Sequence, residues 1–105
     1  MVYLIVKHPF IDRDIYDIAD LVASYAGPDV GLAKANEIVR VIDNLADFPH
    51  IGSLRNEFLP GLRAIPAGEK GVVCFTVNDR DQSVLIICVT YAGADWMARV
   101  KERKE

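Results

Sequence analysis

The stretch GLRAIPAGEKGVVCFTVNDRDQSVLIICVTY, residues 61–91, decides the fold. It contains three apolar, β-branched segments, which are separated by the short turn sequences AGEK and NDRDQ. Segments of this kind are typical of β-strands, and short connections between consecutive strands favour antiparallel pairing. The second and third segments are almost entirely apolar, which indicates strands that are covered on both faces. The stretch therefore predicts a three-stranded antiparallel meander.

The residues before the meander predict one further strand and an amphipathic helix. Residues 2–7, VYLIVK, are β-branched and aromatic, and Pro9 ends this strand because proline cannot donate a ladder hydrogen bond. The chain then changes to helical spacing, with apolar residues that recur three, four or seven positions apart. The residues of this stripe are Ile11, Ile15, Ile18, Val22 and Tyr25.

A second helix follows after a very short connection. We expect Gly27 and Pro28 to end the first helix as a left-handed cap followed by a helix breaker. We expect Asp29 to cap the second helix, which runs to about Asp47. The short connection predicts an antiparallel helical hairpin. Residues 49–60 follow neither period and are predicted to form a loop. The second helix has a broad apolar stripe of Leu32, Ala35, Val39, Ile42 and Ala46.

The chain ends in a short predicted helix. Trp96 and Val100 lie four positions apart and supply its apolar contact. Its charged residues are expected to lie in water: Arg99, Lys101, Glu102, Arg103, Lys104 and Glu105. The resulting order is β-α-α-β-β-β-α, in which helices and strands are segregated. This order predicts an α+β fold, with the helical hairpin packed on a small, mostly antiparallel sheet. The length of 105 residues fits one domain, residues 1–105.

Four aspartates of the first helix raise the question of a cation site. Asp12, Asp14, Asp17 and Asp20 are interpreted as lying on faces other than the apolar stripe. They lack a histidine partner and a loop with metal-ligand spacing. We therefore expect a solvated acidic face that also favours the helix N-terminus, and we expect no metal and no cofactor.

Charge and hydropathy argue against several classes of protein. The formal net charge of −3 disfavours broad binding to nucleic acid, which requires many Lys and Arg contacts to phosphates. No segment approaches the roughly 18 apolar residues of a membrane span, and the first residues lack a signal-peptide cleavage site. These features indicate a cytoplasmic protein.

The two cysteines, Cys74 and Cys88, both lie in apolar strand segments and do not form a C-x-x-C pair. We expect them to be small buried core residues. A disulfide between them would require the right strand geometry, and nothing in the sequence indicates an oxidising compartment.

Single residues carry the functional argument, because the common catalytic and nucleotide-binding motifs are missing from the sequence. Arg63 stands inside the apolar run of the first meander strand and shares a strand face with Ile65. Its guanidinium suits a phosphate or carboxylate ligand. It equally suits a structural pair with Glu57, Glu69 or an aspartate of the first helix.

Other candidates lie in the loop before the meander and near the end of the chain. His50 lies in that loop, where functional residues concentrate. Tyr91 ends the third meander strand, where its hydroxyl either meets a ligand or is buried with a hydrogen-bond partner. Arg55, Arg99 and the basic residues of the tail form either a positive rim or a solvated tail of mixed charge, and neighbouring glutamates favour the tail.

At this point the chain resembles the RelE/ParE superfamily of toxins from bacterial type II toxin–antitoxin systems, whose members are often labelled plasmid stabilisation proteins. Two motifs carry most of the resemblance. The pattern L-x-x-F-P-x-x-G spans residues 45–52, and P-G-L-R-x-x-P-x-G spans residues 60–68. The stretches IDRDIYDIADLVAS and VLIICVTYAGADW add to it, so that nearly the whole chain is covered. The element order expected for the superfamily matches the order derived above.

The resemblance implies one of two targets. RelE-like members are ribosome-dependent mRNA endoribonucleases that rely on several basic groups, whereas ParE-like members inhibit DNA gyrase by binding. Arg63 matches a basic position of the superfamily, but the second meander strand has no arginine and the turn AGADW has no basic residue. Tyr91 stands where related sequences often have histidine. These differences favour a gyrase inhibitor that inhibits growth without enzymatic activity.

Two alternatives remain open at this point. One is a ribonuclease that uses Arg63 together with Tyr91 or Arg99, and the other is an inactive member that still binds its antitoxin. The resemblance also implies a cognate antitoxin as partner, in a heterotetramer, or a homodimer of this chain. The candidate contacts for target or antitoxin are Arg63, Tyr91, Arg55, His50, Trp96 and Arg99.

Overall fold

The structure, a computed structural model, describes residues 2–104, without the side chain of Lys104. The expected positions of the Lys104 side chain and of Glu105 in water lie outside the described part of the chain. The elements follow in the order β1 Leu4–Lys7, α1 Ile11–Ala26, α2 Pro28–Asn44, β2 Ser53–Leu54, β3 Leu62–Pro66, β4 Gly71–Asn78, β5 Ser83–Tyr91 and α3 Trp96–Lys104. The predicted α+β fold with a helical hairpin and a short C-terminal helix is confirmed.

All five strands form one sheet, in the order β1-β5-β4-β3-β2. The predicted meander is present, because β3 pairs with β4 and β4 with β5 in antiparallel orientation. Strand β1 adds to the outer edge of β5 in parallel orientation. The structure differs from the prediction in the segment 49–60, which was expected to be a loop but contains the two-residue strand β2, paired with β3. Two residues are too few to show a period, so sequence spacing did not reveal this strand.

The helical hairpin is tighter than predicted. Gly27 alone separates the helices, with φ at +99°. Pro28 opens α2 at its first turn, so it begins a helix instead of following the end of one, and Asp29 lies inside the helix instead of capping it. Proline is favoured in the first helical turn because the amide it lacks would have no intrahelical partner. Helix α2 is also shorter than expected, because it ends at Asn44 and not near Asp47.

A close approach between the helices depends on Gly31. A methyl group on its Cα would lie 2.5 Å from the carbonyl oxygen of Ala19 in α1. Only glycine therefore permits α1 and α2 to pack at this separation. Within the described residues no helix is long and apolar enough to cross a membrane.

The sheet separates two apolar cores. The larger core lies between the sheet and the hairpin, and includes Ile11, Ile18, Val22, Ile38, Ile42, Val73, Phe75, Val84 and Ile86. The smaller core lies on the other face, under α3, and includes Leu62, Ala64, Cys74, Ile87, Cys88 and Val100. Both cysteines are free and buried, as predicted.

A β-bulge in β5 shapes the smaller core. Cys74 is opposite Cys88, but Phe75 is opposite Ile86, so Ile87 is the extra residue. Ile87 and Cys88 are therefore consecutive and both belong to the core under α3. A bulge has this effect because it interrupts the alternation of side chains along a strand.

Asp14 and Arg103 correct two expectations, since neither side chain faces water. Arg103 of α3 forms two hydrogen bonds with the carboxylate of Asp14 in α1, and one of them, from Nη2 to Oδ1, measures 2.7 Å. The two side chains are 9% and 5% exposed. We call this ion pair the clamp. The Asp14 carboxylate raises the pKa of Arg103 above its ordinary value, mainly through these hydrogen bonds.

The clamp also satisfies backbone groups of β5 that lie beyond the end of β1. The last residue of β1, Lys7, pairs with Ile86. Past that point the Val89 amide donates to Asp14 Oδ2 at 3.1 Å, and the Ile87 carbonyl accepts from Arg103 Nη1 at 3.0 Å. Buried backbone groups of this kind require partners. The clamp therefore links α1, β5 and α3.

Candidate functional site

Four polar side chains converge at one end of the sheet and form the end cluster: Tyr3, His50, Arg63 and Asp79. The Oδ1 atom of Asp79 accepts a hydrogen bond from the Tyr3 hydroxyl at 2.7 Å. The same atom lies 2.7 Å from Nε2 of His50. Arg63 Nη1 donates to the backbone carbonyl of His50 at 3.0 Å. Two of the predicted site residues, His50 and Arg63, are therefore in contact.

Besides Arg63 of β3, the end cluster depends on three separate segments of the chain. Tyr3 precedes β1 and is held by the hydrogen bond from its amide to the Ala46 carbonyl, at 2.8 Å. His50 follows α2, while Asp79 lies in the turn between β4 and β5. That turn is ordered by Asn78, whose side-chain oxygen accepts from the Asp81 amide. Each segment supplies one side chain to the same end of the sheet.

The electrostatics of the end cluster favour an ionised Asp79. Hydrogen bonds from Tyr3 and then His50 lower the pKa of the Asp79 carboxyl below its ordinary value. The same carboxylate raises the pKa of the Tyr3 hydroxyl. The cluster remains open to solvent, because the His50 and Asp79 side chains are 50% and 64% exposed. It presents a cation, an imidazole and a carboxylate to any bound partner.

Tyr91 belongs to a different group of residues, at the opposite end of β4. Its hydroxyl lies 2.8 Å from the hydroxyl of Tyr25, and the Lys34 ammonium lies 5.7 Å from the centre of its ring. The register places Tyr91 opposite Gly71 and Arg63 opposite Phe75. Four strand positions correspond to roughly 13 Å. The Tyr91 hydroxyl contacts Tyr25 and the Arg63 guanidinium contacts His50, so the structure does not bring Tyr91 and Arg63 together.

Arg55 and Trp96 border one small cleft, together with Ser53, Ala64, Pro66 and Val72. The cleft has a volume of about 140 Å³ and lies on the side of the sheet that α3 covers. Phe58 packs edge-on against Trp96, with ring centres 5.7 Å apart. An aromatic ring beside a guanidinium suits a mixed apolar and anionic ligand.

Arg99 lies beside the clamp and contacts its carboxylate. Its Nη1 lies 3.7 Å from Asp14 Oδ1, so its charge is partly offset by the same carboxylate that binds Arg103. The structure therefore brings together His50 with Arg63 and Arg55 with Trp96. It places Tyr91 and Arg99 elsewhere.

Sequence reasoning missed Tyr3 and Asp79 of the end cluster and both residues of the clamp. For the clamp the signal was present. Asp14 is three positions after Ile11 and four before Ile18, and Arg103 is three positions after Val100. Both residues therefore share the buried face of their helix. Tyr3 and Asp79 gave no such signal, because their meeting depends on the parallel pairing of β1 with β5.

Apolar side chains remain exposed on the hairpin and on the edge strand β1. Leu21 and Tyr25 lie four positions apart on α1, and Leu32 and Val39 lie seven apart on α2. Such spacings place each pair on one helix face. Val2, Leu4 and Val6 alternate along the edge segment and are also exposed.

The family model described as the ParE toxin of the type II toxin–antitoxin system parDE matches residues 5–96. The chain therefore belongs to the ParE toxin family. No curated protein sequence is significantly similar to it.

Three solved structures share the fold. The chromosomal ParDE toxin–antitoxin system of Pseudomonas aeruginosa aligns with a TM-score of 0.73 at 18% identity, over 87% of this chain and 97% of that chain. A mutant of the Escherichia coli toxin RelE in the free state aligns at 0.68 and 16%, over 98% of both chains. The RelBE2 toxin–antitoxin complex of Mycobacterium tuberculosis aligns at 0.57 and 16%, over 88% of this chain and 100% of that chain. At these identities the likeness concerns the fold alone.

Proposed function

We propose that residues 1–105 form a single toxin domain that arrests growth by binding DNA gyrase and that a cognate antitoxin neutralises. The proposal places the chain in the cytoplasm, where gyrase acts. The family match supports the toxin role. The observation that carries the choice of a binding mechanism is the separation of Arg63 from Tyr91 along the sheet and from Arg99, which lies beside Asp14. A ribonuclease would need Arg63 together with Tyr91 or Arg99 at one phosphodiester.

The pairing of the basic groups also supports binding over RNA cleavage. Arg103 and Arg99 share the Asp14 carboxylate, and Lys34 binds Glu37 at 2.8 Å. Arg63 donates to a backbone carbonyl. Together with a net charge of −3, this arrangement disfavours extensive contacts to the phosphates of ribosomal RNA.

The antitoxin partner is a proposal that the exposed apolar surfaces support. An amphipathic helix would cover the exposed leucines and tyrosine of the hairpin, and an extended segment would pair with the free edge of β1. A toxin–antitoxin heterotetramer or a homodimer is compatible with these surfaces. The end cluster and the cleft of Arg55 and Trp96 are the proposed contacts for gyrase.

Controlled expression tests the proposal in cells. Induction without the antitoxin should stop growth and produce filaments, because blocked gyrase prevents chromosome replication and segregation while translation continues. Incorporation of a labelled amino acid should therefore persist after division stops. An immediate loss of incorporation would instead indicate a ribosomal target. Continued growth with soluble protein present would contradict both toxin mechanisms and favour an inactive, antitoxin-binding member.

A ribonuclease is the second candidate, and the end cluster is the observation that favours it. His50 beside Asp79 forms an acid–base pair of the kind used in proton transfer, with Arg63 next to it. The test is cleavage of ribosome-bound mRNA by the purified protein. Cleavage that is lost in both His50→Ala and Arg63→Ala would establish this function, and intact mRNA on active ribosomes would exclude it.

A further inference from the structure

The two cysteines form a facing pair in the middle of the sheet. Cys74 of β4 and Cys88 of β5 are direct register partners, and both are fully buried. Both thiols are free. Opposed residues of an antiparallel pair have Cα atoms about 4.5–5.5 Å apart, a separation that falls inside the range for disulfides. A bond between the sulfur atoms therefore requires no change of strand pairing.

Helix α3 covers this pair. Val100, which is fully buried, packs in the same core as both cysteines, and Trp96 is partly buried against that core. The clamp holds the far end of the helix through Arg103. Because a buried thiol is inert towards reagents in solution, oxidation of the pair requires α3 to lift first.

The two thiols differ in their electrostatic surroundings. A hydrogen bond from Cys74 lowers the pKa of the Cys88 thiol, and the positive charges of Arg103 and Arg99 act in the same direction. The hydrogen bond with Cys88 and then burial raise the pKa of Cys74. Arg103 Nη1 lies 3.0 Å from the carbonyl oxygen of Ile87, the residue next to Cys88, and a nearby cation favours the thiolate. Since the thiolate is the nucleophile, we assign Cys88 as the residue that attacks and Cys74 as the residue that resolves.

We propose that Cys74 and Cys88 are a thiol–disulfide pair, oxidised by small-molecule disulfides and gated by α3. The Cys88 thiolate attacks one sulfur of the reagent, breaks its S–S bond and releases one thiolate. Cys74 then gives its proton to water and attacks the Cys88 sulfur, which releases the second thiolate and forms the intramolecular bond. The two protein thiols are oxidised while the reagent is reduced to two thiols. This inference does not depend on the proposed function.

The test follows oxidation of the reduced, full-length chain by oxidised glutathione, with acid quenching and intact-mass analysis. An intramolecular disulfide lowers the mass by two hydrogens, whereas a mixed disulfide adds one glutathione. Wild type should form the intramolecular bond slowly. Arg103→Ala should form it roughly tenfold faster or more, because loss of a clamp partner favours local opening of α3. Lys101→Ala, an exposed residue of the same helix, is the matched control and should react at the wild-type rate.

Three results would overturn the proposal. Equal rates of disulfide formation in wild type and in folded Arg103→Ala would show that α3 does not control access to the cysteines. Glutathione adducts that persist without the intramolecular bond would show that Cys74 and Cys88 do not form a disulfide with each other. A faster adduct at Cys74 in Cys88→Ser than at Cys88 in Cys74→Ser would reverse the assigned roles. If Arg103→Ala does not fold, Val100→Ala carries the same expectation, since it trims the cover without leaving a buried charge unpaired.

Discussion

The clamp and the end cluster are built from similar groups, yet they lie in opposite environments. Each joins a carboxylate to a basic partner from a distant segment of the chain. Asp14 and Arg103 are almost fully buried and also bind the backbone of β5. His50 and Asp79 are at least half exposed. Burial makes the loss of one clamp partner costly, while solvent screens the charges of the end cluster. The clamp therefore stabilises the fold, whereas the end cluster is accessible to a binding partner.

Removal of the clamp carboxylate should have the largest effect on stability. Asp14→Ala leaves the Arg103 guanidinium buried without its partner and the Val89 amide without an acceptor, so the free energy of unfolding should fall by about 3–5 kcal/mol. Urea denaturation followed by circular dichroism measures this change. Asp17→Ala, an exposed neighbour on α1, should stay within about 0.5 kcal/mol of wild type. Equal effects of the two variants would contradict the role given to burial.

Replacement of both clamp residues by apolar ones should lower the free energy of unfolding by less than removal of one of them. Asp14→Leu combined with Arg103→Met leaves no buried charge, but it still leaves the Val89 amide and the Ile87 carbonyl unsatisfied. We expect a loss of about 1–3 kcal/mol, from the backbone groups alone. Denaturant titration beside Asp14→Ala makes the comparison. A double variant less stable than Asp14→Ala would show that the charges themselves stabilise the fold.

Loss of the Tyr3 hydroxyl should change the end cluster without unfolding the protein. Tyr3→Phe removes the largest cause of the depressed Asp79 pKa, so that pKa should rise towards its ordinary value. In the wild type the depressed pKa contributes stability above the unfolded pKa of about 4, and this contribution disappears as the pH falls through the folded value. Carboxyl chemical shifts across a pH titration report the pKa directly. Tyr16→Phe, exposed on α1, should leave it unchanged.

Truncation of Arg63 should affect function more than stability. Arg63→Ala removes a donor to the His50 carbonyl and the cation of the end cluster, while the apolar cores stay intact. Growth inhibition on induction should weaken, and the thermal midpoint should remain near that of wild type. Arg40→Ala, an exposed arginine on α2, is the matched control. Full toxicity of Arg63→Ala would contradict the proposal that the end cluster contacts gyrase.

Local patterns predicted the helices and the meander well, because helical spacing and short turns are properties of neighbouring residues. The two-residue strand β2 and the meeting of Tyr3 with Asp79 depend on tertiary pairing, which a local pattern does not encode. Asp14 and Arg103 were a different case. Their spacing puts both residues on the buried faces of their helices. The expectation that they lie in water followed instead from the general rule that charged side chains are exposed.

Inhibition of purified gyrase tests the central claim most directly. The protein, freed from any antitoxin, is titrated into a supercoiling reaction with relaxed plasmid, and the products are separated by electrophoresis. The account predicts inhibition at micromolar protein or below, or accumulation of cleaved gyrase–DNA complexes, with a weaker effect for Arg63→Ala. Undiminished supercoiling at those concentrations, by a folded protein that still arrests growth in cells, would contradict it.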